Sequence, residues 1–388
     1  MNLRTLLKPI ASLRLTVLCL GVGMLLIFAG TLDQVHLGIH AVQKKYFQSH
    51  VAIWQIPGLK IGDFHFGYLP LPGGYLLGSV LLVNLVAAHV TRFKMTWKKT
   101  GIFLIHIGIV LLLLGELFTG IFADETRMVL DKGGSANYSE AEREVELAIV
   151  DTTDPAQDKV LVIPERELAV EGVTQHPELP FAVHVRKFMG NSNLVMRSEA
   201  PGVPPSLATT GLGVQLHASP AARTAQLNQR DTTTVFAELR SGERSLGVWL
   251  LSNGLKAVQS FQFEGRNYDL AVRGMRDYKP FTLKLLDFTH DRYPGTNIPK
   301  NFSSLIELNH PALSEKRNVL IYMNNPLRYQ GYTIYQSGFD NNDTRSILQV
   351  VKNPVWLMPY FACALVALGL LVQFGFHLLR FASTRTRK

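Results

Sequence analysis

Four long apolar stretches constrain this chain more than any other feature. Leu15 to Leu32 is interrupted by Thr16 and Cys19, and Gly73 to Val90 contains Asn84 and His89. Gly101 to Phe122 contains His106 and Glu116, and Trp356 to Leu379 contains Gln373 and His377. As a helix, each is long enough to cross a hydrocarbon core of roughly 30 Å. Helices in the core of a soluble protein rarely stay apolar around their whole circumference for that length. The expectation is a polytopic α-helical membrane protein with four transmembrane helices, spanning residues 15–33, 72–90, 101–122 and 356–379.

The charges orient these spans. Residues 1–14 carry Arg4, Lys8 and Arg14, and the loop 91–100 carries Arg92, Lys94, Lys98 and Lys99. The tail 380–388 adds Arg380, Arg385, Arg387 and Lys388. These three stretches hold eleven basic residues and no acidic one, and removing them from the chain's net charge of +9 leaves the remainder at −2. The basic character is therefore a positive-inside signature and no argument for nucleic acid. Both termini and the loop 91–100 are expected in the cytoplasm of a cell (plasma or inner) membrane protein. The loop 34–71 and the large region 123–355 are expected outside.

The first span begins like a secretory signal. It runs too long for one, and Gly30-Thr31-Leu32-Asp33 offers no small-x-small cleavage site, so it reads as an uncleaved helix. Cys19 and Cys363 both fall within spans, which leaves region 123–355 without a cysteine. That excludes an intrachain disulfide framework and a thiol redox motif there.

Region 123–355 is large enough for its own core. Its short Val-, Ile-, Phe- and Tyr-rich runs are separated by Gly, Asn, Asp and Pro, as at Val145–Val150, Phe181–Phe188, Tyr268–Val272, Phe281–Phe288 and Tyr332–Gln336. This pattern predicts a large β-rich extracytoplasmic domain of sandwich or related antiparallel type. Ser198–Thr234, rich in Pro, Ala, Thr and Gly, reads as a loop or insertion without chemistry.

The chemically loaded residues are histidines inside spans. His106 sits about 7–8 Å into the third helix at 1.5 Å per residue, and His89 and His377 lie near the cytoplasmic ends of the second and fourth. Three helices thus bring three histidines to one leaflet. An imidazole there is costly without a partner, and its neutral ring nitrogen is an iron ligand, as in single-His or bis-His haem sites. The basic loop beside it suits haem propionates. Against this, His89 and His377 lie close enough to the interface to snorkel or touch headgroups. Glu116, about 15 Å further along the third helix, is either a proton or cation partner or a neutral hydrogen-bonded carboxyl. Asn84 reads as helix-packing glue.

In loop 34–71, His36 and His40 stand four residues apart, a weak metal- or haem-contact spacing if helical. Lys44-Lys45-Tyr46-Phe47 reads more simply as an amphipathic interfacial helix resting on membrane lipid headgroups. No G-x-S-x-G, Walker or H-E-x-x-H pattern is present, which removes the commonest hydrolase and ATPase classes.

Several segments carry a family resemblance: SLRLTV before the first span, Gly30-Thr31 at its end, and IHIGIVLLLLGE in the third span. RYPGTNIPKNFSS, YMNNPLRYQGYTIYQSGFD and VKNP follow ahead of the last helix. In order and spacing the chain resembles a ResB (CcsB-type) protein of the System II cytochrome c maturation pathway, over nearly its whole length. The resemblance implies three spans, a large extracytoplasmic domain and a fourth span. It also implies action with a CcsA-type haem-handling membrane protein. Together the two would move haem b, as a transient cargo, across the membrane, keep it reduced and present it to apocytochrome c for covalent attachment. His106 matches the family's histidine in the third span, which makes it the iron ligand, and His377 is the nearest match to one in the last span.

The tryptophan-rich motif of the partner is absent, since Trp54, Trp97, Trp249 and Trp356 are dispersed. The expected role is a non-catalytic or jointly catalytic subunit of a cytochrome c haem lyase, with no catalytic residue assigned. The competing expectation is a scaffold that binds no haem and holds the partner or apocytochrome, its histidines serving packing.

Overall fold

The computed structural model describes residues 9–56, 60–61, 64–65, 67–92, 96–224, 230–255, 257–296, 299–339 and 344–385. The chain forms two compact units. One comprises Met1–Asp124 with Lys352–Lys388, and the other Glu125–Thr224 with Asn228–Val351.

The first unit contains four helices long and apolar enough to cross a membrane: α1 (Leu13–Val42), α2 (Gly74–Arg92), α3 (Thr100–Phe122) and α4 (Met358–Arg385). None has an internal proline except α4, where Pro359 stands in the first turn and costs no hydrogen bond. Asn84 is buried between α1 and α2. It accepts a hydrogen bond from Thr16 Oγ1 (2.6 Å) and donates to the carbonyls of Ile10 (2.5 Å) and Ser12 (3.1 Å), which is the packing role expected of it.

α1 is not a simple span followed by a free loop. Gly38 adopts φ 76° and ψ 162°, a conformation that favours glycine, and the chain doubles back there. Val42 returns to Gly30, where an added Cβ would stand 3.3 Å from Val42 Cγ1. The π-helical turn Gln43–Phe47 follows. Tyr46 in that turn is completely buried and donates its hydroxyl to Asp33 Oδ2 at 2.7 Å, while Lys45 Nζ donates to the same oxygen at 2.7 Å. Burial, then the hydrogen bond to Asp33 and its charge, raise the Tyr46 pKa. The amphipathic interfacial helix expected at Lys44–Phe47 is thus corrected to a short turn whose Tyr46 belongs to a core with Leu26, Ala29, Trp54 and Leu71. The break at Gly38 also separates His36 from His40, so they do not share one regular helical face. A hairpin of β1 (Val51–Gln55) and β2 (Tyr68–Pro72) leads into α2.

α3 and α4 pack antiparallel along a glycine seam. Gly101, Gly108 and Gly115 recur every seven residues and are all buried. A Cβ at Gly101 would lie 2.6 Å from the Gly369 carbonyl oxygen, and one at Gly108 2.8 Å from that of Ala362. At Gly115 the nearest atoms belong to Met358, at 3.5 Å. Close approach of two backbones through small residues is the usual means of helix association where water supplies no driving force.

The second unit is β-rich, as expected, and is organised by two long antiparallel strands, β3 (Ser135–Asp151) and β4 (Arg266–Arg292). They sit at the centre of a ten-stranded sheet that also holds β5 (Pro299–His310), β6 (Glu315–Tyr322) and β7 (Tyr332–Phe339). Alternate residues of one half, including Leu147, Ile149, Leu270 and Val272, form a core with Val183, Val235 and Leu251 of a separate four-stranded sheet. The other half sends Phe281, Leu283 and Leu285 into a second core with Ile306, Ile321 and Ile334.

The expected strands Tyr268–Val272 and Phe281–Phe288 are parts of this one strand. Gly274 and Pro280, which read as breaks, coincide with register shifts between Gly274 and Arg276 and between Tyr278 and Leu283. Ser198–Thr234 is also more structured than expected. Leu216–Pro220 pairs with Ser192–Met196, and Ala208 packs with Phe236 and Leu250.

Candidate functional site

α2 ends and α3 begins around the basic loop, so His89, three residues from the end of α2, comes level with His106, six residues after the start of α3. Their imidazole centroids lie 4.7 Å apart with an interplanar angle of 65°, and the His89 ring also faces Phe103 at 6.3 Å. Each ring bonds through Nδ1 to a carbonyl one turn earlier on its own helix: His106 to Ile102 at 2.8 Å and His89 to Leu85 at 3.0 Å. A carbonyl only accepts, so Nδ1 is a protonated nitrogen of each ring, and in the neutral form of the ring that leaves the lone pair on Nε2. That is the tautomer a histidine needs to ligate a metal through Nε2, with the other nitrogen fixing the ring's orientation.

Two of the three histidines singled out in the sequence are thus brought together, and the third is not. His377 is exposed, and its partner is Gln373, with Nε2 of the two side chains 3.0 Å apart. Gln373 itself packs against Gly101, at the beginning of α3, so His377 lies one turn beyond the depth of the seam. All three histidines lie toward the basic-loop end of their helices, as expected, but only His89 and His106 are in contact, because the α3–α4 register carries His377 past the start of α3.

The pair has a definite stereochemistry. Two rings in edge contact at 4.7 Å leave no space between them for a flat macrocycle, so as arranged they fit ligation by one imidazole and not a bis-His bracket of one iron. Among the described residues, no group of three or more His, Cys, Asp or Glu side chains is placed to hold a metal ion. Of the four cations expected to meet propionates, Lys98 and Lys99 are exposed on the turn Trp97–Lys99 immediately before α3. Lys94 and the side chain of Arg92 lie outside the described residues.

The tyrosine-rich segment of the β-rich unit holds a second polar constellation that the sequence reading missed. Tyr329 Oη donates to Glu315 Oε2 at 2.7 Å and lies 2.8 Å from Nδ1 of buried His310, while Arg317 Nε donates to Glu315 Oε1 at 2.7 Å. The Tyr329 hydroxyl, then Arg317, hold the Glu315 carboxyl below its ordinary pKa; burial and the neighbouring carboxylate push the Tyr329 phenol up. Nearby Lys279 is buried, donates to Ser139 Oγ (2.8 Å) and Asp277 Oδ2 (2.6 Å), and stands 4.5 Å from the centre of the Tyr332 ring. Tyr332 belongs to the core and Tyr329 is half-buried, whereas Tyr322 is exposed. No local pattern marks such a network, because its members come from strands brought together only by the sheet.

Four apolar helices with a paired imidazole site and a large β-rich unit define the class as a multipass membrane protein with a substantial domain outside the helices. Residues 258–349, the strands from β4 through β7 and their flanks, match the ResB-like family. A curated relative, Protein NrfI of Wolinella succinogenes, is 35% identical over 103 residues. That match takes in 26% of this chain and only 11% of the relative, so the chain spans about a tenth of the relative's length. The ResB resemblance is thus borne out over residues 258–349, the second half of the β-rich unit. The match to the family lies outside the four apolar helices.

Proposed function

We propose that this chain is the ResB-type subunit of a System II cytochrome c maturation complex, which receives haem b on the cytoplasmic side and passes it outward for attachment to apocytochrome c. In this reading the termini and the basic loop are cytoplasmic, and the β-rich unit is extracytoplasmic. A CcsA-type membrane protein supplies the tryptophan-rich haem-handling motif that this chain lacks.

The observation that carries the reading is the state of His106. Its Nδ1 is committed to Ile102, its Nε2 lone pair is left for a ligand, and the ring is braced by His89 within apolar helices. Nε2 of His106 would ligate the haem iron, and Lys98 and Lys99 would receive the propionates. His89 acts as the brace. His377, exposed and bound to Gln373, is a secondary candidate at the membrane surface.

The test is the spectrum of the complex purified with its CcsA-type partner. His106→Ala should lower haem occupancy and cytochrome c yield with an unchanged amount of protein in the membrane. Imidazole added to His106→Gly should restore part of both, by filling the vacated space and ligating iron. The direct contact of the two rings also favours a second reading, in which they are packing groups of a scaffold that binds no haem. A His106→Ala complex with a normal haem spectrum and normal cytochrome c yield selects that scaffold.

A further inference from the structure

The end of the helical unit remote from the basic loop contains a cavity that the histidine chemistry leaves unused. It encloses about 410 Å³ between α2, α3 and the turn Gln43–Phe47, within the size range of small-molecule sites. Glycines open it: Gly74, Gly78 and Gly120 line the walls, and a Cβ added at Gly78 would meet nothing within 4 Å. The rings of Phe47 and Tyr75 and the side chains of Leu82, Leu113 and Leu117 make the rest of the wall largely apolar.

The one acidic group lining it is Glu116. Glu116 is exposed at the mouth of the cleft, and among the described residues its carboxyl has no hydrogen-bond or ion-pair partner. An ionisable side chain on an apolar helix is costly, and where it persists it marks a functional contact. A partner for Glu116 must therefore come from outside the chain. The cavity's chemistry narrows what that is. No basic residue lines the cavity to meet the two propionates of haem or the phosphate of a phospholipid, and its largely apolar wall does not suit a bare cation. A neutral, flat molecule with hydroxyl donors and an apolar tail meets every condition, and the hydroxyl of Ser79 and the amides of Gln43 and Gln48 offer it further hydrogen bonds.

We propose that this cavity binds a membrane-soluble quinol, with the ring between α2 and α3, one hydroxyl donating to Glu116, and the tail leaving into lipid. The site goes beyond the haem-handling reading and uses none of its histidines.

The test uses the full-length protein in phosphatidylcholine nanodiscs, titrated with decylubiquinol. One saturable site is expected in the wild type. Decylubiquinone, which has no hydroxyl to donate, should bind about tenfold more weakly, and Glu116→Leu should weaken quinol binding at least as much. Gly78→Leu, which fills the chamber, should abolish binding. No saturable binding to the wild type, or unchanged affinity in Gly78→Leu, overturns the proposal. Loss of binding when phosphatidylethanolamine replaces phosphatidylcholine overturns it too, and identifies a lipid seat. Should Gly78→Leu fail to accumulate, azido-ubiquinol decides on the wild type. Labelling must fall within residues 74–82 or 113–120, and labelling elsewhere sinks the site.

Discussion

An imidazole inside an apolar helix can satisfy one nitrogen on its own backbone, and His89 and His106 both do so. On the proposed reading they differ in role: His106 would ligate the iron, and His89, whose ring packs against it face to edge, would brace it. The expected order of haem loss is therefore His106→Ala first, His89→Ala second, and His89→Phe, which preserves an aromatic brace, least. The Soret absorbance of the partner complex measures it, and a His89→Ala defect exceeding that of His106→Ala would exchange their roles.

In the β-rich unit, the Glu315 carboxyl is held low chiefly by the Tyr329 hydroxyl. A depressed folded pKa contributes stability that is complete above the ordinary carboxylate value and is lost as pH falls through the depressed one. Tyr329→Phe should move the Glu315 titration upward in a carbon-detected NMR experiment, while His310→Ala should move it much less. Equal shifts in the two variants would mean that charge, not the phenol hydrogen bond, sets the value.

At the scale of elements, the α3–α4 seam makes a graded prediction. A side chain at Gly108 would collide with the Ala362 carbonyl and Val366, whereas one at Gly115 would only touch Met358 at 3.5 Å. Gly108→Val should cost about 1–3 kcal/mol, the usual range for overpacking, and Gly115→Ala close to nothing. Thermal unfolding of the detergent-solubilised protein separates them, and equal losses would show that the seam is not the tightest contact. The helices themselves were legible in the sequence, because long apolar runs have few other solutions. The glycine heptad Gly101, Gly108 and Gly115 is equally present in the sequence, but only the approach of α4 gives it a role.

Other elements were hidden for physical reasons. A glycine at position 38 looks like any other in an apolar helix until Tyr46 and Asp33 are seen to hold the reversal. Gly274 and Pro280 have the composition of strand ends, yet the long strand β4 absorbs both as irregularities because its two halves serve different cores. Depth along each helix put His89, His106 and His377 toward one end of the helices, but it could not say which of them touch, since helix register is set by contacts such as Gly101–Gly369 and not by hydropathy.

For the whole molecule, α3 and α4 fix the geometry of the connection. Asn353 Nδ2 donates to Thr119 Oγ1 at 3.2 Å, so the chain leaves α3 and returns to α4 at the same end of that pair. The opposite end of the pair carries Lys98, Lys99 and Arg380, part of the basic clusters that leave the rest of the chain at −2. Translocating that remainder is the cheaper choice under the positive-inside rule, which predicts an extracytoplasmic β-rich unit. A reporter inserted at exposed Gly202 should therefore signal the exterior, and reporters fused after Lys99 or Lys388 should signal the cytoplasm. Replacing Lys94, Lys98 and Lys99 together with Gln should weaken this bias and give a mixed population. An exterior signal from the Lys99 fusion in the unaltered chain would invert the orientation. It would place His106 on the outer leaflet and remove the argument that haem enters at its side.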